Sequence, residues 1–257
     1  MNGRRARATS SGIRPGHVTL ERALSKLGIA SRTVAREWIL AGKVRVDGAI
    51  KNNPGFQVVP EKARIEIEGQ VVERRGRKVL MLHKPRGVVT TRSDEKGRPT
   101  VFSLVDSSEG HLIAAGRLDF ATTGLLLLMN DTRLADWLTS PETAIPKTYV
   151  VTVRGEVTEN ELARMRVGIQ DEGELLRAEA VELRKASGRE SHLTVTLTEG
   201  KNREIRRLMA ATGHEVTRLK RVAIGGLALG ELEPGQYREV SAEELARAFP
   251  GAPEARE

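Results

Sequence analysis

Five consecutive apolar residues, Leu125 to Met129, stand between Thr122-Thr123-Gly124 and Asn130-Asp131, and such a run has few places to go. It is far shorter than the ~18 residues that span a bilayer. Turn-forming residues bound it, and no polar position interrupts it at a two-residue or 3.6-residue period, so both of its faces must be covered. A strand buried inside a sheet meets that condition. Upstream, Leu112 to Ala115 reads as another apolar strand, and Gly116-Arg117-Leu118-Asp119 follows it. Asp119 is therefore expected on a loop between two buried strands. A carboxylate placed there either bonds nearby backbone amides as a turn-former or acts as a reactive group fixed by a rigid scaffold, and spacing alone leaves both open.

The rest of the chain divides around this core. Residues 1–17 carry Arg4, Arg5, Arg7 and Arg14 with Gly, Ser and Pro and no acid, which predicts a disordered basic tail. Leu20, Ala23, Leu24 and Leu27 recur at helical spacing, with Thr19 placed to cap the start and Gly28 to close the end. Ser31 is placed to cap a second helix containing Val34, Ala35, Trp38 and Ile39, which Gly42 ends. Val44 and Val46 then alternate with charged residues before Asp47-Gly48, a dipeptide suited to a tight hairpin. These elements predict a compact module over residues 18–68, a charged linker over 69–78, a larger domain over 79–245 and a tail over 246–257.

Within the larger domain, Val79–Leu82, Val150–Val153 and Leu193–Leu197 read as strands, and Thr132–Leu138, Glu159–Arg166 and Arg203–Ala211 as helices. Strands and helices do not alternate regularly. The expected class is therefore α+β, with a small α/β module followed by a mixed, mainly antiparallel sheet and flanking helices.

Composition narrows the chemistry. The 257 residues hold 42 Lys and Arg against 34 Asp and Glu, a formal charge of +8 that favours a polyanionic partner. On the first module Arg22 and Lys26, and Arg32 and Arg36, lie four apart and so share helix faces, with Lys43 and Arg45 extending the charge. Between Lys201 and Arg221 seven Lys or Arg, including Lys201, Arg203, Arg206 and Arg207, stand against two Glu, as expected of a phosphate-lined cleft. The absence of cysteine excludes disulfides, thiolate metal sites and thiol nucleophiles. Five scattered histidines show no close ligand spacing, so no metal site is expected. No phosphate-cradling glycine loop argues for a nucleotide-dependent enzyme. With no apolar run long enough for a span and no signal-like segment after the start, a cytoplasmic location is expected, with RNA as partner and no membrane.

The leader LERALSKLGIASRTVAREWILAGKVRVDG resembles the S4 RNA-binding domain, through Ser31-Arg32, Ala35, Ile39, Gly42, Val44, Val46 and Gly48. GRLD followed by Thr-Thr-Gly-Leu-Leu-Leu-Leu resembles the signature loop of the RsuA/RluB family of pseudouridine synthases. His83-Lys84-Pro85-Arg86-Gly87, Pro146-Lys147-Thr148-Tyr149 and Glu199-Gly200-Lys201-Asn202-Arg203-Glu204-Ile205-Arg206-Arg207 are similar to that family's other segments. The resemblance covers roughly residues 18–245 and implies isomerisation of uridine to pseudouridine in ribosomal RNA, without a cofactor. Position by position it makes Asp119 the catalytic carboxylate, Arg206 its partner and Tyr149 the ring against the target base. Arg117 would fill the space that the extracted nucleotide leaves. Lys84 and Pro85 would shape the fold beside the cleft.

Arg206 is expected on a helix capped by Asn202, with Arg203 and Arg207 bordering the same cleft. The third segment is closer to enzymes acting on 23S rRNA, whereas HKPRG and the GRLD loop are also similar to the 16S enzyme; 23S rRNA is the expected substrate, free or in pre-ribosomal particles, and the protein is expected to act as a monomer. The competing reading from another class is a non-catalytic RNA-binding or ribosome-assembly factor.

Overall fold

The computed structural model describes residues 14, 16–60, 62–72 and 76–255. Arg4, Arg5 and Arg7 of the expected basic tail lie outside these residues. The chain forms two compact units that part between Arg75 and Gly76.

The small unit begins with strand β1 (Val18–Thr19), followed by helices α1 (Leu20–Lys26) and α2 (Arg32–Leu40). Strands β2 (Val44–Val46), β3 (Ala49–Ile50), β4 (Gln57–Val58), β5 (Ile65–Ile67) and β6 (Gln70–Val71) complete it. β1 pairs with β4, and the other four form a sheet in the order β3-β2-β5-β6. Leu20, Leu24, Ala35, Ile39 and Val44 pack into one core with none of their surface exposed. The Ser31 hydroxyl caps α2 by accepting from the Val34 amide at 3.2 Å. Asp47 and Gly48 both take positive φ, the conformation that a two-residue hairpin between β2 and β3 requires. Thr19 departs from expectation: it occupies the cap position of α1, but its hydroxyl is buried without a partner among the described residues. The first amides of α1 instead donate to the carbonyls of Phe56 and Pro54, so a neighbouring loop does the capping.

The linker is shorter than the 69–78 expected. Gln70 and Val71 still pair with β5, whereas Arg77 and Lys78 already bond to the large unit through Asp131 and Asn130.

The large unit is built on a nine-stranded sheet. In chain order its elements are β7 (Val79–Lys84), β8 (Ile113–Ala115), β9 (Thr123–Met129), α3 (Thr132–Thr139), β10 (Lys147–Arg154), α4 (Glu159–Val167), a separate hairpin of β11 (Ile169–Asp171) and β12 (Glu174–Leu176), β13 (Ala180–Ala186), β14 (Glu190–Leu197), α5 (Glu204–Ala210), β15 (Val216–Ile224), β16 (Leu227–Ala228), β17 (Tyr237–Glu239) and α6 (Ala242–Ala248). The main path runs β13-β14-β10-β15-β9-β7-β17, with β16 beside β15 and β8 beside β9. Pairing is antiparallel throughout except between β15 and β9. The mixed, mainly antiparallel sheet of an α+β protein is thus what forms.

Leu125 to Met129 occupy β9 and are fully buried, as a strand covered on both faces must be. Each leucine withdrawn from water there is worth roughly 1.5–3 kcal/mol. Their side chains alternate between two cores: Leu125, Leu127 and Met129 pack with α3 and α6, and Leu126 and Leu128 with Leu82, Val101 and Leu112. A third core lies under β10, β14 and α5. The chain stays with the first core beyond residue 245, because Phe249 is buried there and sits against Gly225; residues 246–249 are therefore core rather than tail.

Candidate active site

Asp119 lies on the loop between β8 and β9, and three neighbouring residues of that loop are tied to the last residue of β7 and the segment after it. The Thr90 hydroxyl donates to the Leu118 carbonyl at 2.9 Å and accepts from the Leu118 amide at 3.3 Å. The Gly87 amide donates to Phe120, and the buried Lys84 ammonium donates to Thr122 at 2.9 Å and to Pro85. Bonds at residues 118, 120 and 122 leave the backbone under Asp119 little freedom, while Asp119 itself is half-buried and, among the described residues, its carboxylate accepts no backbone amide. Asp119 opens a turn through its backbone, its carbonyl accepting from the Thr122 amide at 3.0 Å, and leaves its carboxylate free of the turn's amides. Burial lowers the pKa of Lys84 to about 8, opposed by the charge of Asp119.

The opposite wall comes from β10, β15 and α5. Where the loop enters β9, Thr123 and Gly124 pair in parallel with Lys220 and Arg221. A Cβ at Gly124 would stand 2.1 Å from the Arg221 carbonyl oxygen, and φ there is +112°, so this contact between the strands demands glycine. Arg221 is thereby drawn beneath the cleft, buried, with its Nε donating to the Leu125 carbonyl at 2.7 Å. Tyr149 stands on β10 opposite Arg221 and Val195, beside a register shift between Thr148 and Tyr149. Bulges of this kind re-aim a side chain. The Tyr149 ring packs against both the core under β10 and the core that includes Leu118.

The cleft is lined by Arg117, Asp119, Lys147, Tyr149, Lys201, Arg203, Glu204, Arg206 and Arg221. Asp119, Tyr149 and Arg206, expected together from three distant segments, do converge. Arg206 is near enough to feel the charge of Asp119, but the two do not form an ion pair within 4 Å among the described residues; the Arg206 Nη1 donates to the Val216 carbonyl at 3.1 Å instead. Burial, followed by the charge of Arg203, lowers its pKa, against the pull of Asp119. Lys147 is likewise lowered by burial and by Arg221, and Glu204 is raised by burial. Thr122 Oγ1, Glu204 Oε1, Arg206 Nε and Arg221 Nη2, all on residues of this cleft, are buried without hydrogen-bond partners among the described residues. Buried polar groups so rarely go unpaired that such a concentration marks a polar site.

Two expectations require correction. Asn202 does not cap α5: Arg203 holds the cap position in a left-handed conformation without a side-chain cap bond, and the Glu204 carboxylate accepts from the Lys201 amide. Arg207 does not border the cleft. Its guanidinium turns to the β11–β12 hairpin and bonds Asp171 at 2.6 Å and Glu174 at 2.5 Å, which raises its pKa. Carboxylates more than 30 positions upstream claim it.

On the small unit Arg22, Arg32, Arg36, Lys43 and Arg45 are exposed or partly so, and Lys26 is half-buried. Glu21 pairs with Arg32 at 2.8 Å and with Arg36 at 3.8 Å, and Glu68 with Lys43 at 2.8 Å. Sequence reasoning missed Lys147, Glu204 and Arg221 as individual members of the cleft. For Arg221 a signal existed: it shares a two-residue period with Leu219 in β15, on the inward parity.

Residues 78–211 match the RNA pseudouridylate synthase family, and residues 18–63 match the S4 domain. An uncharacterized RNA pseudouridine synthase of Aquifex aeolicus is 36% identical over 90% of this chain and 94% of its own length. The ribosomal large subunit pseudouridine synthase B of Bacillus subtilis is 37% identical over 89% of this chain and 94% of its own length. A crystal structure of a pseudouridylate synthase superposes with a TM-score of 0.64 at 30% identity, covering 90% of this chain and all of that one. With the family match spanning more than half of the sequence and these relatives aligned almost end to end, the chain belongs to the RNA pseudouridylate synthases, with an S4 domain ahead of the catalytic unit.

Proposed function

We propose that this enzyme isomerises uridine to pseudouridine in 23S ribosomal RNA, as a cytoplasmic monomer, with Asp119 as the catalytic carboxylate. One observation carries the assignment of the site: Asp119, Tyr149 and Arg206, far apart in sequence, line a single cleft whose other charged members are mostly cations. In the reaction the bond from the ribose to N1 of uracil breaks, the base turns, a bond forms from the ribose to C5, the C5 proton leaves and N1 takes up a proton. Product and substrate have the same atoms and oxidation state, so neither an oxidant nor a group donor is needed.

Asp119 starts the cleavage as its ionised form, which both attack on the nucleotide and removal of a sugar proton require. Arg206 lines the same cleft and brings positive charge to the substrate beside it. The Tyr149 ring lies against the target base, and its hydroxyl assists departure of the C5 proton. Arg117, exposed on the same loop, takes the place of the extracted nucleotide in the stack. Lys201 and Arg203 meet the RNA backbone at the cleft. The cations of the S4 unit add phosphate contacts, with Arg32, Arg36 and Lys43 partly neutralised by Glu21 and Glu68. The names of the Bacillus subtilis relative and of its Pseudomonas aeruginosa counterpart, 38% identical, support the large-subunit RNA as substrate.

The test is release of tritium from C5 of uridine in rRNA, without added metal or nucleotide. Asp119→Asn is expected to keep the fold, by thermal melting, and the RNA affinity, while turnover disappears. Clear turnover by a folded Asp119→Asn protein would overturn the assignment. Mapping pseudouridine across rRNA in a deletion strain and its complemented control tests the substrate, with the lost site expected in 23S and not 16S rRNA.

A further inference from the structure

Phe120 follows Asp119 directly, yet the residue remains 45% exposed. A single exposed apolar residue is ordinary. This one differs in how firmly it is presented. Its carbonyl accepts from the Gly87 amide at 2.9 Å, and the flanking residues Leu118 and Thr122 carry the bonds from Thr90 and Lys84 described above. The Arg98 guanidinium lies 5.5 Å from its ring centroid, within range of a cation–π contact. Arg98 is in turn fixed by both carboxylate oxygens of Asp94, at 2.6 and 3.0 Å. Because Asp94 already neutralises that guanidinium, Arg98 serves to steady the ring more than to collect a phosphate. The chain therefore holds an aromatic ring on the same short loop as the exposed Arg117 and the catalytic carboxylate.

We infer that Phe120 is a stacking platform for an RNA base adjacent to the target uridine. An enzyme acting on a base must first take it out of its stack, which bares a face of the neighbouring base. An aromatic ring fixed one residue beyond the cleft-lining Asp119 can cover that face whatever the base is, and its prior ordering avoids the entropic cost of immobilising a mobile side chain. The cations that line the neighbouring cleft, Arg117 and Arg203 among them, favour a nucleotide over an apolar peptide as the occupant. The inference rests on the uridine-isomerising reading of the cleft and adds to it a contact outside the reacting nucleotide.

Binding of the full chain to the 23S rRNA fragment that it modifies tests this, with the fragment intact and with the base removed from the nucleotide on either side of the target. Phe120→Ala is expected to weaken binding of the intact RNA about 5- to 150-fold, the range for loss of one base stack, whereas Phe120→Tyr keeps the ring and the affinity. On the RNA lacking the stacked base, the parent and Phe120→Ala are expected to bind alike. Equal binding of the intact RNA by parent and Phe120→Ala would overturn the proposal, and so would an equal loss on both base-deleted RNAs. If Phe120→Ala lowers the melting temperature, Phe120→Leu supplies the comparison, since it keeps apolar bulk without a ring face. The readout is affinity and not turnover, so the measurement can be repeated in the Asp119→Asn chain, where failure of the stacking contact and failure of the proposed chemistry are told apart.

Discussion

The two halves of the large sheet contribute to the cleft by opposite means. The half built on β7, β8 and β9 supplies one central group, Asp119, from a loop, and restrains it through bonds to the backbone on either side. The half built on β10, β14, β15 and α5 supplies Tyr149, Lys147, Arg221 and Arg206 from regular elements whose own core holds them. The Asp119 carboxylate stays accessible on a pinned loop, whereas the groups across the cleft are fixed by strand register and helix packing. In the sheet the halves are registered by two residue pairs between β9 and β15, backed by the Arg221–Leu125 bond and by the core that Ile224 and Leu227 share with Leu125 and Leu127, and the Tyr149 ring touches cores on both sides.

The most damaging way to break this arrangement is at the join. Gly124→Ala places a methyl group against the Arg221 backbone in a left-handed conformation, and is expected to destabilise the large unit by about 4 kcal/mol or more, the range of severe backbone and overpacking defects. Thermal unfolding reads this directly, and a melting temperature equal to the parent's would show that the halves are not locked there. Tyr149→Phe keeps the ring that bridges the two cores and loses only the hydroxyl, so RNA binding is expected to persist while turnover falls about 10²-fold or more, the usual scale for a proton-transfer group. Parent-like turnover would reduce Tyr149 to a packing role. Thr90→Val tests the loop half in isolation. It removes both bonds to Leu118 with little change in shape, and kcat is expected to fall about tenfold, equivalent to roughly 1.4 kcal/mol, with KM unchanged. Thr90→Ser should restore it, because serine keeps the hydroxyl; failure of that rescue would mean that packing, not hydrogen bonding, positions Asp119.

How much of this is legible in the sequence follows from how local each determinant is. The buried character of Leu125–Met129, the Ser31 cap and the Asp47-Gly48 hairpin depend on neighbouring residues, and each forms as expected. The α+β class follows from the order of such segments. Asp119, Tyr149 and Arg206 emerge through family resemblance, since nothing in their spacing brings three separate segments together. Arg207 escapes sequence reasoning because the carboxylates of Asp171 and Glu174 reach it across the fold. Asn202 misleads because Arg203 adopts a left-handed backbone at the start of α5, which residue type alone does not announce. Phe249 looks like the start of a tail because its place in the core depends on the turn at Gly225, 24 positions upstream.

Arg77 has a consequence for the architecture that lies apart from chemistry. Its guanidinium bonds Asp131 and also the carbonyl of Pro253, so a residue at the entrance of the large unit clasps one near its exit. The path of the chain through that unit is almost a closed circuit. Such a circuit can be opened at an exposed loop and resealed at its original ends, and domains whose termini lie together tolerate circular permutation. A chain permuted in this way would synthesise the two halves of the cleft in the opposite order.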